Sequence, residues 1–267
     1  MQNLTVTFIQ TELLWEDIPA NLAMLDEKIE AIKNPTDLIL LPEMFSTGFS
    51  MNPIGLAETM QGSAVTWLVE KAKEKSAHIA GSLMIEQDQH YFNRLVWASP
   101  DGQLYTYDKK HLFRMSDEEK VYSAGSHRLT IELNGWRIRP FICYDLRFPV
   151  WMRNTDPPYD LSIVFANWPA AREIHWQMLL RARAIENQSY VIGVNRVGVD
   201  GNQIEYNGYS CVVDYQGDVH YQDVQHAFTQ TAALSLTTLN HYRKTFPAWM
   251  DRDKEVDRLF NETDETA

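Results

Sequence analysis

The amino-acid sequence predicts an α/β fold in one domain, on two observations. Short continuous apolar runs, Asp37-Leu-Ile-Leu-Leu41 and Tyr159 to Ala166, have the character of strands buried on both faces, and they alternate with stretches whose apolar residues recur at helical spacing. The two halves also look like related units, since Asp37-Leu-Ile-Leu-Leu and Asp160-Leu-Ser-Ile-Val-Phe each run into a polar loop. A chain of 267 residues, 45% of them hydrophobic, is long enough to bury a substantial core as one such unit, and no linker divides it. The residues from Asp251 onward are acidic and poorly patterned. We therefore expect a domain over 1–250 and an acidic tail over 251–267, lying on the surface or partly disordered.

The elements follow in order. Leu4, Val6 and Phe8 share one face of an opening strand, which is not a signal peptide because no positive region precedes it. Asp17 caps a helix with Pro19 in its first turn, and Leu22, Leu25, Ile29 and Ile32 mark its apolar face. The strand at Asp37–Leu41 ends in Pro42-Glu43-Met44. A helix over Ser63 to Lys75 turns Val65, Leu68, Val69 and Ala72 inward, and strands follow near 78–86, 91–99 and 103–108 with a turn at Asp101-Gly102. Strands near 128–133 and 136–143 flank Asn134-Gly135, a strong hairpin signal. The strand at Tyr159–Ala166 ends in Asn167-Trp168-Pro169, and a helix covers about Arg172 to Asn187. Strands near 190–196, 208–214 and 229–236 close the pattern, with turns at Asp200-Gly201 and Gln216-Gly217.

Charge excludes whole classes of function. A net charge of −12 offers no basic stripe to displace counterions from phosphate, so neither nucleic acid nor anionic lipid is an expected partner. No apolar run approaches the ~20 residues of a membrane-spanning helix. The two cysteines, Cys143 and Cys211, form no disulfide framework, and a reduced cytoplasmic protein is the simplest expectation.

Polar groups just past the carboxyl ends of buried strands are the natural site of an α/β fold. Three segments qualify: Leu41-Pro42-Glu43-Met44-Phe45, Tyr107-Asp108-Lys109-Lys110-His111-Leu112-Phe113, and Cys143-Tyr144-Asp145-Leu146-Arg147-Phe148-Pro149. Each alone has an ordinary structural reading. Cys143 would be a small buried hydrophobe, Glu43 a cap or loop acceptor, and Lys109-Lys110 a solvated pair. Cys143 nevertheless stands where its apolar run stops, whereas Cys211 lies inside Tyr209-Ser-Cys-Val-Val213 and is taken as structural.

Taken together, and in this order, the three segments closely resemble the nitrilase superfamily of carbon–nitrogen hydrolases, as do Asn167-Trp168-Pro169 and the Arg183-Ala-Ile-Glu-Asn187 stretch. The resemblance runs over about residues 4 to 240. It implies a four-layer α-β-β-α sandwich, a homodimer, no cofactor and no metal. It also implies Glu43, Lys109 and Cys143 as catalytic residues, Lys109 being chosen over Lys110 because it stands two places before the His-Leu pair. A second glutamate is implied a few residues before Ala124-Gly125, which points to Glu118 and leaves its neighbour Glu119 open.

The residue types suit amide cleavage by a thiol. The lysine supplies positive charge to the sulfur and the oxyanion, and the glutamate moves protons between thiol, leaving nitrogen and water. The backbone N–H of Tyr144 is a second oxyanion donor if Cys143 occupies a sharp turn. Within the superfamily, Cys-Tyr-Asp-Leu-Arg-Phe-Pro, Phe113-Arg-Met115 and Phe246-Pro-Ala-Trp249 look most like the omega-amidase branch. That branch implies a small 2-oxo acid amide as substrate, 2-oxoglutaramate or 2-oxosuccinamate, giving a 2-oxo dicarboxylate and ammonia.

Arg147 then holds the distal carboxylate, or else pairs with Asp145 or Glu173 and only shapes the turn. Tyr144, Trp168 and Phe45 are candidate pocket walls. Val150-Trp151 after Phe148-Pro149 departs from relatives that carry an acidic residue there. The competing readings are a deaminated-glutathione amidase, an N-carbamoyl hydrolase, a nitrilase, a non-catalytic binding protein on the same scaffold, and a thiol–histidine dyad using His111 or His175. His111 is expected to anchor its loop instead, so that its substitution leaves some activity.

Overall fold

The computed structural model describes residues 3–221, 224–255 and 264–266. Its first half is built from β1 (Leu4–Gln10), α1 (Ile18–Glu30), β2 (Leu38–Leu40), α2 (Ser63–Lys75), β3 (His78–Gln87), β4 (His90–Ala98), β5 (Leu104–Asp108) and the one-turn helix α3 (Glu118–Val121). The second half runs β6 (Arg128–Leu133), β7 (Trp136–Ile142), α4 (Pro149–Met152), β8 (Leu161–Phe165), α5 (Glu173–Asn187) and β9 (Tyr190–Val194). It continues with β10 (Val197–Val199), β11 (Glu205–Asn207), β12 (Cys211–Val213), β13 (Val219–His220), β14 (Phe228–Leu234), α6 (Leu236–Thr245) and β15 (Asp264–Thr266).

Two sheets result, ordered β14-β1-β2-β3-β4-β5 and β13-β12-β9-β8-β7-β6-β15. The relation between the halves is visible in the pairing. β1, β2 and β3 run parallel in the first sheet, as β7, β8 and β9 do in the second. Side-chain alternation along the strands then dictates the layers. On β1 and β2, Leu4, Val6, Phe8, Leu38 and Leu40 enter a core shared with Ile138, Phe141, Ile163 and Ile192 of the other sheet. Ile9, Ile39 and Leu41 face the opposite way, onto Leu25 and Ile29 of α1 and Val65, Leu68 and Ala72 of α2. Trp176, Leu180 and Ala184 of α5 and Leu236 and Leu239 of α6 cover the second sheet, completing an α-β-β-α sandwich.

Local signals act where they were read. The Asp17 carboxylate accepts from the Ala20 N–H at 3.1 Å and caps α1. Asn134 and Gly135, at φ 52° and 80°, make the left-handed turn that joins β6 to β7. Helix α6, not expected from the pattern, starts where the Ser235 hydroxyl accepts from the Thr238 N–H at 3.3 Å. The strands β10 and β11, which flank the expected turn at Asp200-Gly201, are likewise not expected from the pattern, because they are only three residues each. Of the acidic tail, 256–263 and 267 lie outside the described residues, whereas Asp264–Thr266 runs parallel to β6. There the Asp264 carboxylate bridges the Arg128 guanidinium at 2.5 and 2.7 Å and lies 3.3 Å from Arg139. No helix among the described residues is long and apolar enough to cross a membrane.

Candidate active site

The carboxyl ends of β2, β5, β7 and β8 open toward one cavity of about 600 Å³, lined among others by Lys109, Cys143, Tyr144, Arg147, Asn167 and Trp168. Glu43 lies in the turn after β2. That turn is pinned to β3 because the Met44 N–H donates to the Ser82 hydroxyl at 2.9 Å and the Phe45 N–H to the Ser82 carbonyl at 3.2 Å. Lys109 directly follows β5, its N–H donating to the Asn93 carbonyl on β4 at 3.0 Å. Both side chains are wholly buried.

The Lys109 ammonium donates to Glu43 Oε1 at 2.9 Å and to Glu118 Oε1 at 3.0 Å. Glu118, on α3, is therefore the second glutamate of the group. Glu119 turns away, 3.9 Å from Arg114. Lys110 also faces elsewhere, its ammonium 5.4 Å from the centre of the Trp151 ring.

Cys143 begins a tight 3-10 turn immediately after β7, with φ at 42°. A non-glycine residue in this left-handed region is strained and is kept where the surroundings over-determine it, as at a nucleophile elbow. The Sγ–H points to the Asn167 carbonyl at 3.8 Å and also contacts the Glu43 carboxylate. Neither histidine proposed for a dyad is a partner of the thiol. His111 instead donates its backbone N–H to Asp145 Oδ1 at 2.9 Å, places Nδ1 2.8 Å from that oxygen, and stacks on Phe148 with ring centres 3.7 Å apart. The other Asp145 oxygen accepts from the Tyr107 hydroxyl at 2.6 Å and the Ile142 N–H at 3.0 Å. One buried carboxylate thus ties the lysine segment to the elbow.

Electrostatics follow from this burial. Burial opposes the charge on Lys109, but the carboxylates of Glu118 and Glu43 outweigh it and hold the ammonium above its ordinary range. Burial, and then the charge of Glu43, push the Cys143 thiol well above its usual value, while Lys109 pulls the other way without prevailing. The sulfur therefore rests as a thiol with a carboxylate beside it. The expected lowering of the thiol pKa by Lys109 is present as a contribution and is outweighed. Glu118 is raised by burial and by Glu43, against the pull of Lys109.

Sequence reasoning missed two residues here. Asn93 Nδ2 donates to the same Oε1 atoms that Lys109 binds, 2.8 Å to Glu43 and 3.2 Å to Glu118. Asn167 donates its N–H to Glu43 Oε2 at 2.7 Å and its side-chain amide to the Glu43 carbonyl at 2.6 Å. A polar residue amid the apolar positions of β4 was the one signal for Asn93.

Phe45 is a correction. It is not among the cavity walls but is buried against α2, its ring centre 5.9 Å from that of Trp67, because the turn after β2 carries it into the same core as Leu41. Phe49 takes the expected place, its ring centre 4.9 Å from the Lys109 nitrogen. Arg147 pairs with neither Asp145 nor Glu173. Its guanidinium lies 4.9 Å from the Trp168 ring centre and donates to His175 Nδ1 at 2.9 Å.

A buried ammonium between two carboxylates, opposite a thiol at a strained elbow on this sandwich, defines a carbon–nitrogen hydrolase. Residues 5–244 match the carbon-nitrogen hydrolase family model, and the chain belongs to that family. It is a hydrolase acting on carbon–nitrogen bonds of linear amides. It is 47% identical over 255 residues to omega-amidase YafV of Escherichia coli (strain K12), covering 95% of this chain and 98% of the relative. With 2-oxoglutaramate amidase of Bacillus subtilis (strain 168) it shares 32% over 256 residues, 94% of this chain and 98% of the other. Among solved structures it superposes with a TM-score of 0.93 on XC1258 from Xanthomonas campestris, a CN-hydrolase superfamily protein with an arsenic adduct in its active site. That pair is 43% identical, with 95% and 98% of the two chains covered.

Proposed function

We propose that the chain hydrolyses the terminal amide of a small 2-oxo acid amide, 2-oxoglutaramate or 2-oxosuccinamate, to a 2-oxo dicarboxylate and ammonia. The observation that carries this reading is the meeting of Cys143 and Lys109 on a cavity also lined by Arg147, with the buried Glu43 carboxylate bonded to Lys109 and in contact with the thiol. As Cys143 Sγ attacks the amide carbon, Glu43 takes the thiol proton. The oxyanion faces the Lys109 ammonium and the Tyr144 N–H. Glu43 then gives the proton to the leaving nitrogen, the C–N bond breaks, and ammonia departs from a thioester on Cys143. Water adds to the thioester as Glu43 accepts its proton. Collapse of that intermediate releases the carboxylic acid product and returns the proton to sulfur.

Glu118 and Asn93 hold Lys109 and Glu43 in register throughout. Arg147, held over Trp168, binds the distal carboxylate, which a guanidinium receives through two parallel hydrogen bonds. Tyr144 and Trp168 form the walls. The names of the relatives, omega-amidase and 2-oxoglutaramate amidase, support this choice among linear amides.

The reading extends to setting and assembly. Two free cysteines, one of them the nucleophile, suit a reducing cytoplasm. Ile174, Met178 and Ile185 form an outward stripe on α5, 59%, 47% and 52% exposed, as suits a homodimer packed across helical faces. Ammonia release over a panel of 2-oxo acid amides, deaminated glutathione, N-carbamoyl amino acids and nitriles tests the substrate. Preference for the 2-oxo acid amides is expected, and turnover confined to carbamoylated amino acids would overturn it.

A further inference from the structure

Five charged side chains besides Lys109 line the catalytic cavity, and Glu16, Asp117, Asp200, Arg147 and Arg172 differ sharply in how they are satisfied. The acids are spent within the protein. Glu16 Oε1 accepts from the Ser50 hydroxyl at 2.5 Å. Asp200 accepts from the Asn202 and Ile204 N–H groups at 2.8 and 2.9 Å and from the Tyr206 hydroxyl at 2.9 Å. Asp117 pairs with Lys120 at 2.8 Å. The arginines meet no acid, although Arg147 donates to His175 Nδ1 at 2.9 Å. Neither Arg147 nor Arg172 has a carboxylate within salt-bridge distance among the described residues, and Glu173, beside Arg172 in sequence, instead accepts from Gln177 and Asn207.

Both guanidiniums are held by aromatic faces. Arg147 lies 4.9 Å from the Trp168 ring centre and 6.0 Å from that of Tyr144, and Arg172 lies 5.1 Å from that of Phe113. The Tyr144 and Phe113 rings meet edge to face at 5.1 Å, so the two cations are mounted on one aromatic wall. The Arg172 carbonyl also accepts from the Trp168 indole N–H at 2.9 Å, which fixes the segment carrying it against the same wall. Rings orient a guanidinium without neutralising it, leaving its N–H fork for an anion.

We infer that Arg172 joins Arg147 in one anion pocket that receives the carboxylate end of the substrate, and that Arg172 determines the preference for anionic over neutral amides. The inference rests on the function proposed above and adds the residue that sets its selectivity. Each charge-assisted pair contributes enough to change kcat/KM by about 10- to 100-fold.

The test compares ammonia release from succinamate with that from succinamide, its neutral isostere, in the parent enzyme, Arg172→Gln and Arg172→Lys, with thermal melting as the check on folding. The parent is expected to favour succinamate. Arg172→Gln lowers the succinamate-to-succinamide ratio of kcat/KM by about 10- to 100-fold, chiefly through KM, and Arg172→Lys restores part of the ratio. A ratio unchanged in Arg172→Gln, or equally low in Lys and Gln variants, overturns the role of Arg172 while the parent's preference leaves the proposed function standing. A parent that does not discriminate between the two amides overturns both.

Discussion

Replacing Lys109 by Met tests the charge arrangement on which the chemistry depends. The ammonium sits 2.9 and 3.0 Å from two carboxylates that are themselves wholly buried. Removing it leaves Glu43 and Glu118 facing each other, both still within reach of one Asn93 amide. Breaking a buried pair in this way costs about 3–5 kcal/mol. For a chain of this size that lowers Tm by roughly 6–20 °C near neutral pH. The protein escapes part of the cost by protonating one carboxylate.

A carboxylate with a raised folded pKa binds its proton more tightly folded than unfolded. Its contribution is present below the unfolded pKa and lost as pH rises through the folded one. Glu118 is already displaced in that direction in the parent, and loss of Lys109 adds to it. Acidifying from about pH 8 to about pH 5.5 therefore returns up to about 3.4 kcal/mol to the variant, at about 1.36 kcal/mol per pH unit. Thermal denaturation at both pH values is the assay, with ammonia release alongside. Activity should be lost at both. The double variant Lys109→Met with Glu118→Gln should regain stability at the higher pH without regaining activity. A Lys109→Met variant as stable as the parent at about pH 8, or less stable relative to it after acidification, would refute the reasoning.

Two further outcomes follow from the same geometry. Because burial and Glu43 hold the Cys143 thiol well above its usual value, alkylation of the free enzyme by iodoacetamide should still accelerate as pH passes the ordinary thiol range of about 8.5, and a plateau at or below neutral pH would contradict this. Asn93→Ala removes one donor shared by both glutamates, so kcat should fall by about 10- to 100-fold with a stability loss of about 1–3 kcal/mol. Equal kcat in the variant and the parent, measured by ammonia release, would show that the carboxylates are positioned without Asn93.

The legibility of this protein divides along a physical line. Local spacing dictates local structure, so the boundaries of α2 and the turn at Asn134-Gly135 could be read directly from periodicity and turn chemistry. The three candidate segments stood out because each stands where a strand stops, and strand ends are where α/β folds expose polar groups. What spacing does not contain is the partner across the fold. Glu118 and Glu119 are chemically identical neighbours, and only the direction of a single helical turn puts one against Lys109 and the other against Arg114. Phe45 and Phe49 are likewise both aromatic residues beyond β2, and the path of the chain sends one under α2 and the other to the cavity. Asn93 acts from the middle of a strand, where no motif marks it. The pKa of Cys143 was beyond sequence for the same reason: burial depends on everything packed around the sulfur, and here it outweighs the lysine that the motif supplies.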